Sequence, residues 1–290
     1  MKMRYAIITN PVSGKMTVDQ KLFALEKAAE ILDAEIHGLD TVTADDFSKC
    51  ARELATRCDV LVTAGGDGAL SDIINSIDTT RTPIAYLPLG TGNAMRYALK
   101  YKGSITDIAM RIKDGKIHEY DLIDCNERIR AFMISIGIEG TIIRLRDQYV
   151  AQGNSGFKTY FRAVVNSYFK EYKRTTARVT VDDAMFEVDN LLSLLVVKQP
   201  YYGFGMNVVP GARFNDRQLH ISCINSGLFE SVIGGITAFT IGNRIGQYCT
   251  GRQLTVELER PLTMQIDGNE GWKAEAFTFT VLPNALKIKC

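Results

Sequence analysis

Three short stretches of this 290-residue sequence place glycines, small hydroxyls and an acid where phosphate chemistry would use them. They are NPVSGK (Asn10 to Lys15), GGDG (Gly65 to Gly68) and PLGTGNA (Pro88 to Ala94). A residue without a side chain lets backbone N–H groups approach an anionic oxygen, and a helix starting just beyond adds unpaired donors and a partial positive charge. Asp67, inside the second stretch, is an acid positioned for a phosphate-bound metal ion. Taken singly, each stretch reads equally well as a turn, because glycines commonly follow strands and Asn-Pro is turn composition. Their joint occurrence after three strands of one sheet is what favours a ligand. No G-x-x-x-x-G-K-[ST] motif is present, and the first turn lacks the G-x-G-x-x-G spacing of dinucleotide binding.

The elements that must position these corners follow from periodicity. Short apolar runs at Tyr5 to Thr9, Ala34 to Leu39, Asp59 to Thr63 and Pro83 to Leu89 read as strands. Between them lie helix-periodic segments: Leu22, Leu25, Ala29 and Leu32 on one face, then Ala44 to Thr56, Ala69 to Ser76 and Asn93 to Leu99. Strands alternating with crossover helices predict an open, mainly parallel α/β sheet over residues 1–120. In such a sheet ligands collect beyond the carboxyl ends of the strands, so the three corners should share one rim. From 121 to 290 the pattern turns to period two, as in Thr176 to Val181 and Leu254 to Arg260, with helical interludes near Lys158 to Tyr172 and Phe229 to Ile241. This predicts an antiparallel, β-rich second domain, the last few residues of which can return to the first.

The three motifs, in this order and on these elements, resemble those of the diacylglycerol kinase catalytic-domain family of lipid kinases, to which sphingosine and ceramide kinases are related. Further traces of the resemblance are SIGIEG (Ser135 to Gly140), VVPGARFNDRQL (Val208 to Leu219) and IDGNE (Ile266 to Glu270), so it spans nearly the whole chain. GGDG alone is shared with NAD kinases and phosphofructokinase-like enzymes; GTGN one strand later favours the lipid branch. The resemblance implies an ATP-binding α/β domain, a β-sandwich-like second domain and an active site in the cleft between them.

Carried over residue by residue, the resemblance surrounds ATP with Asn10, Ser13, Gly14, Gly65, Gly66, Asp67, Gly68, Ala69, Gly90, Thr91, Gly92 and Asn93, with Thr41 as a further lining residue. Phosphoryl transfer needs positioning, charge neutralisation by Mg²⁺ and a carboxylate to accept the hydroxyl proton. Asp67 and Glu270 are the candidates for metal and proton. Glu270 stands one position beyond the family's base, after Asp267-Gly268-Asn269. Two accounts remain open: a bulge or lengthened turn returns it to the site, or the chain binds nucleotide without efficient transfer. Glu139 sits where relatives place an acid facing the lipid head group, and reads equally as a helix-starting acid. Asp216 corresponds to a structural Mg²⁺ ligand of some relatives, or is a solvated loop acid. Ala69 stands where threonine is frequent, Ala94 where many bacterial members carry aspartate, and Arg217 where glycine is usual.

Composition limits the alternatives. There are 34 basic against 33 acidic residues, net +1, so no global field draws the chain toward nucleic acid. Six cysteines without C-x-x-C spacing and three dispersed histidines argue against zinc and fit a reducing cytoplasm. The longest apolar runs fall short of the ~20 residues of a membrane span. The expected partner is a lipid substrate met peripherally at a membrane surface. Aromatic residues at Phe157, Tyr160, Phe161, Tyr168, Phe169, Tyr172, Tyr201, Tyr202 and Phe204 read as core or as the wall of a lipid pocket. Lys158, Arg162, Lys170, Lys173 and Arg174 read as a solvated face or an anionic-headgroup contact. A helix-rich patch or an edge strand in the second domain could support a homodimer. The enzyme alternative is an NAD kinase-like activity, and the non-enzyme alternative a nucleotide- or lipid-binding regulator.

Overall fold

The computed structural model describes residues 2–11, 16–154 and 156–290. The chain forms two compact units. One comprises Met1–Asp121, Tyr201–Gly205 and Pro283–Cys290, and the other Leu122–Pro200 and Met206–Leu282. Two segments downstream of residue 120 cluster with the first unit, the C-terminal Pro283–Cys290, whose return the sequence reading allows, and Tyr201–Gly205, which it does not include.

The first unit carries β1 (Tyr5–Ile8), α1 (Val18–Leu32), β2 (Glu35–His37), α2 (Ala44–Ala55), β3 (Val60–Gly65), α3 (Asp67–Ser76), β4 (Ile84–Pro88), α4 (Ala94–Ala98) and α5 (Ile105–Asp114). β2, β1, β3 and β4 lie side by side in that order, all parallel. β3 and β4 are buried along their whole length, which is why they read as continuous apolar runs. Three helices begin on reciprocal capping boxes, Thr17 with Gln20, Thr43 with Asp46 and Ser104 with Asp107. The last of these starts α5, which the reading by strand alternation passes over. Its signal is nonetheless present: a Ser-x-x-Asp cap followed by Ile108, Ala109 and Ile112 on the buried face.

β5 (Ile117–Cys125) starts in the first unit and ends in the second. The second unit continues with β6 (Ile129–Ala131), β7 (Met133–Gly137), α6 (Ile138–Ala151), α7 (Phe157–Asn166) and a π-helical extension at Ser167–Glu171. It is completed by β8 (Thr175–Val181), β9 (Ala184–Leu191), β10 (Ser193–Val197), β11 (Leu219–Ile224), α8 (Leu228–Thr240), β12 (Gln247–Gly251), β13 (Gln253–Ile266) and β14 (Asn269–Lys289), whose last residues return to the first unit. β7, β8 and β10 to β14 pair antiparallel within this unit. β13 runs with β8 through Leu258 and with β7 from Met264. The register against β14 slips between Glu257 and Leu262, around Pro261, which has no N–H to give the ladder. Ile134, Ile136, Val196, Ile221, Val256, Met264 and Phe277 are among the residues of the unit's apolar core.

Candidate phosphate-binding rim and second-unit carboxylates

The parallel register of β1, β3 and β4 brings the carboxyl ends of all three strands to one edge of the first unit. Ile8 lies beside Thr63, and Gly65 beside Pro88. The second and third corners then meet directly. The Leu89 and Gly90 amides donate to the Gly65 carbonyl at 2.9 and 3.1 Å. A methyl group on Gly90 would overlap Gly66 Cα and stand 2.7 Å from Asn93 Oδ1, so glycine is required there by close approach of backbone.

Asp67 locks the two corners together. Its Oδ2 accepts from the Ala94 amide at 2.8 Å and its Oδ1 from the Met95 amide at 3.1 Å, the first donors of α4. Burial raises the Asp67 carboxyl above its ordinary value, against the opposing pull of the Met95 and Ala94 amides. Asn93 is held equally firmly. It adopts left-handed backbone at φ 48°, its Nδ2 donates to the Gly90 carbonyl at 2.6 Å, and its Oδ1 accepts from the Tyr86 hydroxyl at 3.0 Å. Tyr86, fully buried on β4, is a positioning residue that the sequence reading misses.

The main chain is what remains directed outward. Gly66 caps α3 without a side chain, and the first-turn amides of a helix have no intrahelical acceptors. Ala69 is buried in that turn, while Thr91 is exposed. Asn10 follows β1, and its carbonyl, with that of Pro11, receives the ammonium of the buried Lys21. Desolvation lowers the Lys21 pKa. Thr41 closes a turn on Gly38, its hydroxyl donating to the Gly38 carbonyl at 2.7 Å. Ser13 and Gly14 lie outside the described residues.

The aromatic stretch Tyr201 to Phe204 braces this rim. The Phe204 amide donates to the Gly92 carbonyl at 2.8 Å, and Tyr201 packs on Tyr97 with ring centroids 6.0 Å apart. A β-carbon on Gly92 would come within 3.2 Å of Gly203 Cα. These aromatics therefore support the third corner, a role that period and composition do not announce.

In the second unit, Ile266 pairs with Asn269 across a two-residue turn whose residues, Asp267 and Gly268, both have positive φ. This is the geometry an Asp-Gly hairpin favours. Neither a lengthened turn nor a bulge precedes Glu270; the register slip comes after it, opposite Thr263 to Gln265. Glu270 is exposed and stands opposite Gln265, which in turn pairs with Ser135 on β7. Gln265 Oε1 accepts from the Ser135 hydroxyl at 2.8 Å. Ser135 shares its sheet face with Leu195 and hence with Ser193, whose hydroxyl donates to Glu139 Oε1 at 2.6 Å. Glu139 and Glu270 are thus served by the same face of the second unit's sheet, opposite the core face of Ile134, Ile136 and Met264. Asp267 is structural: its buried Oδ1 accepts from the Phe132 and Met133 amides at 3.1 and 2.9 Å.

Glu139 lies in the first turn of α6, its Oε2 buried without a hydrogen-bond partner among the described residues. Desolvation raises its pKa to about 7, with the Ser193 hydrogen bond opposing. Tyr160 and Tyr172 feel its charge.

Asp216 is held by protein partners. Its Oδ1 receives Lys198 Nζ at 2.9 Å and the Gln218 amide at 3.2 Å, and its Oδ2 stands 2.9 Å from His220 Nε2. Lys198 is fully buried and also donates to the Gln218 carbonyl at 2.6 Å. A protein ammonium therefore stands between a carboxylate and a main-chain carbonyl, where a metal ion would need both oxygens. Burial acts to raise the Asp216 carboxyl, yet the hydrogen bond and charge of Lys198, with His220, outweigh it and hold it low. A cation at Asp216, as the resemblance implies, would have to displace this ammonium.

Comparison with known proteins gives the geometry a lineage. The profile of the diacylglycerol kinase catalytic domain matches residues 4–125, and that of the YegS C-terminal NAD kinase beta sandwich-like domain matches residues 132–290. A diacylglycerol kinase of Staphylococcus saprophyticus is 26% identical over 286 residues, covering 94% of this chain and 91% of the relative. A crystal structure of a diacylglycerol kinase from Bacillus anthracis superposes with TM-score 0.73 at 17% identity, covering 99% of this chain and 96% of the other. An NAD kinase from Archaeoglobus fulgidus in complex with ATP shares the fold at TM-score 0.54 and 13% identity, covering 99% and 94% of the two chains. Two successive profiles account for nearly all of the sequence, in the order in which its α/β and β-rich halves occur, and the chain belongs to the diacylglycerol kinase catalytic-domain family of lipid kinases.

Proposed function

We propose that the protein transfers the γ-phosphate of ATP to a hydroxyl of a diacylglycerol-like or sphingoid-like lipid, with Mg²⁺ as cofactor. The observation that carries this reading is the meeting of the GGDG and GTGN corners at the rim of the parallel sheet, where Asp67 takes up the first amides of α4 and the start of α3 is left uncapped. Such a rim suits a polyphosphate, whose charge is met by main-chain donors and helix dipoles.

Mg²⁺ usually takes one or two carboxylates and completes its shell with phosphate oxygens and water. Among the described residues no three His, Cys, Asp or Glu side chains gather around a point, which is compatible with so sparse a set of protein ligands. Asp67 fits this demand, because each of its oxygens accepts one amide and keeps a further lone pair. When bound, the ion neutralises charge that develops on the transferring phosphoryl group. Glu270, exposed beside Gln265, accepts the hydroxyl proton, and Glu139 receives the lipid's polar end through its unpaired Oε2.

Purified protein with radiolabelled ATP, Mg²⁺ and a panel of diacylglycerol, sphingoid and ceramide acceptors tests the proposal. NAD is assayed in parallel. Transfer to a lipid is expected, and Glu270→Ala should lower turnover ~10²-fold or more with nucleotide binding retained. Nucleotide binding without transfer to any lipid would leave only the regulatory role, and phosphorylation of NAD alone would reassign the acceptor.

A further inference from the structure

Two helices of the second unit are turned inside out. On α8 the residues against the protein are small, Gly234 and Ala238, while Leu228, Phe229, Val232, Ile233, Ile236 and Phe239 are exposed. At ~100° per residue these six fall within an arc of about 140°. Phe229 is 78% and Ile236 61% accessible. α7 repeats the arrangement, burying Thr159 and Ala163 and exposing Phe157, Phe161 and Val165, with Phe169 continuing the row into the π-helical turn. A helix on a water-soluble surface does the reverse.

The chain just beyond α7's π-helical extension meets the chain just before α8. Arg174, just beyond the π-helical turn, donates to the Asn225 and Ser226 carbonyls at 2.9 and 2.6 Å, immediately before α8. Around the α7 row the charge is one-sided, while α8 carries one acid, Glu230, held at the Gly227 amide. From 157 to 174 the sequence has five basic residues and one acid, Glu171, which pairs with Arg144. Lys158, Arg162, Lys170 and Lys173 are exposed. Outward phenylalanines and aliphatics flanked by basic side chains match an interfacial lipid layer with anionic headgroups. A two-fold pairing of identical chains would set this basic group against itself.

We infer that α7 and α8 form a docking face that inserts Phe161, Phe169, Phe229 and Ile236 into the headgroup region of an anionic phospholipid bilayer. The inference extends the proposed lipid kinase reading by naming how the chain would reach an acceptor that stays in the membrane.

The test is sedimentation of the full-length protein with vesicles of phosphatidylcholine alone, or of two-thirds phosphatidylcholine and one-third phosphatidylglycerol. Wild type should pellet with the mixed vesicles. The double variant Phe229→Glu/Ile236→Glu should lose at least about tenfold in partition, and Lys170→Glu/Lys173→Glu about fivefold or more for each basic charge lost. All variants should keep the wild-type circular dichroism and melting temperature, and their transfer rate to a water-dispersed short-chain diacylglycerol. Wild-type binding that the variants retain, or no vesicle binding at all, overturns the inference. So does a dimer in sedimentation velocity that Phe229→Glu/Ile236→Glu dissociates without changing vesicle binding, since a second copy would then cover the face. The short-chain rate keeps the readings separable: a kinase that ignores vesicles sinks only the docking face, and a vesicle-bound protein without transfer sinks only the kinase.

Discussion

The buried Glu139 makes a thermodynamic prediction that depends on no ligand. Its carboxyl accepts from the Ser193 hydroxyl, its Oε2 has no partner among the described residues, and desolvation raises its pKa from an ordinary 4.5 to about 7. Between these values the folded chain keeps the proton and the unfolded chain loses it, so stability falls as pH rises through this window. Below pH 4.5 both states are protonated and the penalty vanishes; above 7 it is complete. At 1.36 kcal/mol per pH unit the full penalty is about 3 kcal/mol. Glu139→Gln replaces the carboxyl by a neutral group of the same shape that still accepts from Ser193, and it removes the pH dependence. Urea unfolding of wild type and variant at pH 4, 6 and 8 isolates the effect, because other titrating groups contribute equally to both proteins. The stability of the variant relative to wild type should grow by about 3 kcal/mol between pH 4 and pH 8, whatever constant offset an unpaired amide N–H introduces. Parallel pH profiles for the two proteins would refute the burial of this carboxylate, and with it the reading of Glu139 as a desolvated acid awaiting a hydroxyl.

Two further perturbations address the other carboxylates' surroundings. Gly90→Ala forces a methyl group against Gly66 Cα; it should destabilise by about 1–3 kcal/mol and abolish the melting-temperature increase produced by ATP and Mg²⁺, whereas an unchanged ATP response would show that the two corners do not hold the nucleotide. Lys198→Met leaves Asp216 facing only His220 and the Gln218 amide in a partly buried site; a loss of about 3–5 kcal/mol is expected, with no effect of EDTA on wild-type melting, and an EDTA-sensitive wild type would restore a metal to this loop.

The parallel sheet was legible because its information is local. A strand buried on both faces is an unbroken apolar run, a crossover helix has its own period, and right-handed βαβ connections leave few ways to arrange them. From that point the gathering of the corners at one rim follows from topology. The details that escaped are those set by distant residues or by exact register. Nothing in Tyr201 to Gly205 announces that its backbone will bond to Gly92, more than a hundred residues upstream. Lys198 occupies a strand end with the apolar neighbours Val196 and Val197, and only the return of the chain at Asp216 explains its burial. Glu270 is intermediate. The Asp-Gly pair signals a two-residue turn, so its place opposite Gln265 could have been read locally, whereas which face Gln265 presents depends on β7 and β13 pairing.

A deeper reason limits what a motif can reveal about roles. Asp67 and Asn93 are two of the three polar side chains of the GGDG and GTGN corners, the third being the exposed Thr91, and both are engaged by the protein itself, Asp67 by the α4 amides and Asn93 by Gly90 and Tyr86. Residue type at these positions therefore carries two demands, a ligand's and the loop's, and the second is met by contacts that sequence spacing does not display. The consequence is a division of labour. Under the proposed function, side chains fix the corners and the main-chain amides so positioned meet the phosphates, so a substitution that leaves every ligand-facing atom in place should still weaken nucleotide binding by moving the main chain. Tyr86, which reaches no further than Asn93, shows how far back from the rim that dependence extends.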